Sequence, residues 1–136
     1  ILHYFETANP AGRRLLPAHP EALAHDLHLL GVILAASEKA VQHVYEHRLR
    51  PEEKQHQPWI ARVTGQLLAA CREWDARLAD RAVAAHPDQV MVTSTVVWSF
   101  IQLMIPAVVP AAEFAHIRAL AQKGEALPAF QQYPLS

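Results

Sequence analysis

The chain carries a single cysteine, Cys71, in 136 residues. An internal disulfide is therefore excluded, and a reducing compartment such as the cytosol is the expected setting. Glycine is scarce at four residues, and with none of them clustered there is no phosphate-cradling loop. No C-x-x-C pair occurs, and no Ser, His and acid set is singled out by its spacing as a nucleophilic centre. An excess of either charge is also missing. Twelve basic and thirteen acidic residues leave a net charge of −1, so there is no positive field to draw phosphates or anionic lipid, and nucleic acid is not an expected partner. No charged-then-apolar leader opens the sequence. Ile1 begins directly in an apolar pattern, which reads as the edge of a piece cut from a longer chain.

Charge is absent altogether from one long stretch: no Asp, Glu, Lys or Arg lies between Asp88 and Glu113. Such a segment must be covered by lipid or by protein. Gln89, Thr93, Ser94, Thr95, Ser99 and Gln102 make it too polar for easy membrane insertion, and Pro106 and Pro110 cut it short of a span. Its β-branched valines suit a strand, yet Asp88, Thr95, Ser99 and Gln102 form one polar stripe at helical spacing. Val90, Val97, Ile101 and Met104 form an apolar one. The expectation is the central helix of a small all-α domain, capped by Asp88.

What is present elsewhere is helical periodicity. Leu23, Leu27, Leu30, Leu34, Ser37, Val41 and Val44 recur every three or four residues after Pro20, a residue suited to a first helical turn. A second row, Leu29, Val32, Ile33, Ala36 and Ala40, widens the apolar surface, as expected of a helix that packs on its own core and on a partner. Pro51 places its end near Leu49. Ile60, Val63, Leu67, Cys71, Trp74 and Leu78 make a second amphipathic helix opened by Pro58, antiparallel to the first. After Pro110 the run from Ala111 to Gln122 is helical, with Gly124 placed to end it. Leu127, Phe130 and Tyr133 form a short terminal turn. One domain of this length is expected.

Nine histidines invite a metal reading. His43-Val44-Tyr45-Glu46-His47 matches H-x-x-E-H, in which two His one turn apart bind zinc and the Glu serves as base. A third ligand is missing from the pattern, and Arg48 and Arg50 oppose a dication. The expectation is instead a helix end with its basic groups near the negative pole of the dipole, with no metal site. His25 and His28 read as exposed helix surface. Cys71 lies on an apolar seam, where a thiol is desolvated and protonated. Trp59, Trp74 and Trp98 occupy apolar helical positions and read as core.

In order along the chain, Leu15-Leu16-Pro17, the run Val44-Tyr45-Glu46-His47-Arg48-Leu49-Arg50-Pro51-Glu52-Glu53-Lys54, Trp59-Ile60, Val97-Trp98-Ser99-Phe100-Ile101-Gln102-Leu103 and Leu127-Pro128-Ala129-Phe130 resemble the C-terminal helical domain of bacterial glutathione transferase-like proteins. Ile1-Leu2-His3-Tyr4-Phe5 resembles the tail of the last helix of that family's thioredoxin-like N-terminal domain. The resemblance implies an all-α helical bundle at 20–136, a linker at 8–19 and the domain remnant at 1–7. It implies a cytoplasmic homodimeric transferase whose intact form conjugates or reduces small hydrophobic electrophiles with glutathione as co-substrate. The groups that activate glutathione would lie in the N-terminal domain, so no catalytic residue and no cofactor is assigned to this chain. Val41, Val44 and Tyr45 would face the co-substrate pocket. A non-catalytic dimerisation or protein-interaction module is the alternative. One departure stands out: the family follows its Ser or Thr helix cap with an Asp three residues later, whereas here the cap is Asp88 and the third position is Met91.

Overall fold

Pro20 fixes its own backbone near helical geometry and has no N–H to leave unpaired. It opens α1 (Pro20–Arg48), with Glu21 in the first turn and His47 and Arg48 in the last, each sign of charge at the dipole end that favours it. A 3-10 turn at Glu52–Lys54 and a second helix-opening proline, Pro58, lead into α2 (Gln57–Ala79). Then follow α3 (Gln89–Met104), a 3-10 turn at Ala111–Glu113, α4 (Ala115–Glu125) and the short α5 (Pro128–Gln132). The structure, a computed structural model, describes Tyr4, Ala8 and residues 14–81 and 86–134. The remnant expected at 1–7 and the first half of the linker expected at 8–19 therefore lie outside the described residues, apart from Tyr4 and Ala8.

α1 and α2 form the expected antiparallel hairpin. Asp26 near the start of α1 meets Arg81 beyond the end of α2, while His43 near the end of α1 meets Thr64 near the start of α2. α3 packs on α1 and α4, and α4 closes against α2. The core between them holds Ile33, Ala36, Ala40, Leu67, Cys71, Trp74, Val90, Ile101, Phe114 and Ile117. Trp98 meets Trp74 and Phe114 edge-on, with ring centroids 6.2 and 6.0 Å apart. Each such pair adds about 0.5–1.5 kcal/mol beyond the area it buries.

Several expectations are corrected by this packing. On α1 the buried stripe is Asp26, Leu29, Leu30, Ile33, Ala36, Ala40, His43, Val44 and Glu46. The regular leucine seam is divided by it: Leu30 and Val44 are buried, whereas Leu27 is 51% and Leu34 57% exposed. Trp59 is exposed rather than core, because it lies one residue off the buried face of α2 that runs through Ile60, Val63 and Leu67. Ala111–Glu113 is a 3-10 turn and not part of the following helix. Within the polar stripe of α3, Asp88 and Thr95 are buried while Ser99 and Gln102 are half-buried.

Gly124 does not terminate α4; it lies within the helix, with no positive φ among the described residues. A Cβ there would fall 1.9 Å from Thr95 Oγ1 and 2.9 Å from Thr95 Cβ. Glycine is required because α4 crosses α3 at that point too closely for any side chain.

The start of α3 forms as anticipated. Asp88 Oδ1 accepts the Met91 N–H at 2.8 Å, which is the N-cap bond. Met91 has no side-chain acceptor to return a bond to the Asp88 N–H, and the Asp88 carboxylate is instead held from elsewhere in the chain: Arg81 donates to Asp88 Oδ2 at 2.9 Å and forks onto both oxygens of Asp26 at 3.1 and 2.8 Å. Burial pushes the Arg81 guanidinium down, but its bonds to Asp26 and Asp88 more than offset this and hold it above its ordinary value. The Leu15 carbonyl, ahead of α1, accepts the Gln89 N–H at 2.9 Å, pinning that segment to the same helix end.

Candidate functional site

The residues singled out by resemblance lie at the C-terminal end of α1, where the helix rotates them to different surroundings. Val44 points into the core at 5% exposure, Val41 is half-buried, and Tyr45 is 58% exposed. Val41 and Tyr45, four apart, share one outward face of the helix with Leu27 and Leu34. That face is accessible. Val44 supports it from behind.

The H-x-x-E-H residues on the same turns are used for packing. The His43 ring is buried, lies 3.0 Å from Thr64 Oγ1 through Nδ1, and stacks on His47 with centroids 4.3 Å apart. Burial and then the neighbouring His47 lower the His43 pKa below its ordinary 6.5. His47 Nδ1 donates to the His43 carbonyl at 2.8 Å. Glu46 accepts the His56 N–H at 3.2 Å and pairs with Arg50 at 2.9 Å. It thereby clamps the backbone that starts α2 to the end of α1. Among the described residues no three His, Cys, Asp or Glu side chains converge as a metal centre needs.

Cys71 is fully buried, and burial pushes its thiol up to about 12. It is protonated at neutral pH and is no nucleophile. His25 and His28 are exposed, as their positions on α1 suggested.

A groove of about 650 Å³ opens between α3, the end of α4 and α5. Val96, Leu103, Phe130, Tyr133 and Pro134 supply apolar and aromatic wall, and Ser99, Gln102, Glu125 and Gln131 supply polar groups. Ser99 donates to Glu125 Oε1 at 2.7 Å, and Gln102 donates to the Val109 carbonyl at 3.0 Å. This volume lies in the range of small-molecule sites. It was not foreseen, although Val96, Ser99 and Leu103 fall on one face of α3 at spacings of three and four. None of Val41, Val44 and Tyr45 lines it.

Among the described residues no helix is long and apolar enough to cross a membrane. No family model matches the chain, and no curated protein matches it. Solved structures do. A glutathione S-transferase of Methylobacterium radiotolerans JCM 2831, in complex with glutathione sulfonate, matches 96% of the chain with a TM-score of 0.85 at 22% identity. A glutathione S-transferase of Methylobacillus flagellatus KT with glutathione bound matches 96% with a TM-score of 0.83 at 17% identity. A glutathione transferase family member of Pseudomonas fluorescens Pf-5 with bound glutathione matches 96% with a TM-score of 0.80 at 19% identity. The chain spans 62%, 64% and 63% of these proteins respectively. It has the all-helical fold of the glutathione transferase C-terminal domain.

Proposed function

We propose that the chain is the helical domain of a cytosolic glutathione transferase that conjugates or reduces small hydrophobic electrophiles. The observation that carries this reading is the fold likeness over 96% of the chain to transferases bound to glutathione or glutathione sulfonate, of which it spans less than two thirds. In this reading the remaining third of such a protein holds glutathione and acidifies its thiol, and the thiolate attacks the electrophile. The helical domain supplies a wall for the electrophile, with Val41 and Tyr45 presenting the apolar surface and Val44 fixing it from the core.

The exposed Leu27 and Leu34 on α1 support a two-fold dimer that covers them.

Two measurements test the reading. Calorimetry with glutathione on these 136 residues is expected to show no binding; tight binding would move the glutathione site into the helices. Glutathione-dependent consumption of an aryl halide is expected from the protein that carries an upstream thioredoxin-like domain. A complete absence of turnover there, with glutathione bound, would favour the non-catalytic dimerisation module.

A further inference from the structure

We draw no further inference here: the strongest candidate, the stacked His43 and His47 pair on the last turns of α1, joins two imidazoles with no third metal ligand among the described residues, and its Nδ1 atoms are already engaged by Thr64 and the His43 carbonyl.

Discussion

Gly124 shows how a single atom decides a helix crossing. Adding a methyl group drives it into Thr95, whose hydroxyl is itself committed to the Met91 carbonyl at 2.8 Å. Gly124→Ala is expected to destabilise by about 1–3 kcal/mol, the range for an overpacked core, in chemical denaturation. Thr95→Ala in the same background should recover part of the loss, and strictly additive effects would show that the two positions are not in contact. Ser94 makes the opposite case. Its buried hydroxyl has no hydrogen-bond partner among the described residues, so Ser94→Ala should leave the melting temperature unchanged or raise it. His43 gives the pH dependence. Its folded-state pKa lies below 6.5, so below pH 6.5 the unfolded chain binds a proton that the folded chain resists. Stability from this group is complete above that value, declines as pH falls through it and levels off once the folded ring is protonated. A His43→Gln variant should show a shallower decline between pH 7 and 5 than the parent. None of these three roles was legible in the sequence, because each depends on what a neighbouring helix places against the residue.

At the level of the helices, most boundaries were legible and most tertiary ties were not. Prolines marked the starts of α1 and α2, and Asp88 marked the cap of α3, since these signals act within a turn of chain. The start of α4 carried no such signal, for a reason that lies 41 residues away. Asp75 on α2 accepts the His116 and Ile117 backbone N–H groups at 3.0 and 2.9 Å and meets the His116 ring at 2.9 Å. A carboxylate from one helix caps another, so the local sequence needs no cap of its own. Asp75→Ala is expected to cost about 1–2 kcal/mol, the upper range for loss of a cap, and Asp75→Asn to retain part of it. Arg81 ranks higher. Removing Asp88 loses one cap bond but leaves Arg81 paired with Asp26, whereas Arg81→Ala leaves two largely buried carboxylates without their cation. The expected order in urea denaturation is Arg81→Ala, at about 3 kcal/mol or more, above Asp88→Ala, at about 1 kcal/mol. The reverse order would mean that Arg81 contributes little beyond its role at the cap. The leucine seam of α1 misled in part for a related reason: periodicity identifies an apolar row, but which of its members enter the core is set by the helices packed against α1, so Leu30 and Val44 are buried while Leu27 and Leu34 stay exposed.

At the scale of the molecule, apolar surface open to solvent among the described residues includes the row through Leu27 and Leu34 on α1 and the face through Val96 and Leu103 on α3. The proposed dimer covers the first. Sedimentation of the parent chain is expected to give a dimer, and of a Leu27→Glu, Leu34→Glu variant a monomer of unchanged helicity. A monomeric parent would remove that face from the interface. The arrangement of the helices also has a kinetic side. Arg81 reaches Asp26 across 55 positions of sequence and Asp88 across seven, so its full set of bonds exists only when three helix ends have already met. A contact completed last is largely absent from the folding transition state. Arg81 therefore acts as a latch on the way out of the native state: its removal should speed unfolding many-fold while leaving the refolding rate nearly untouched.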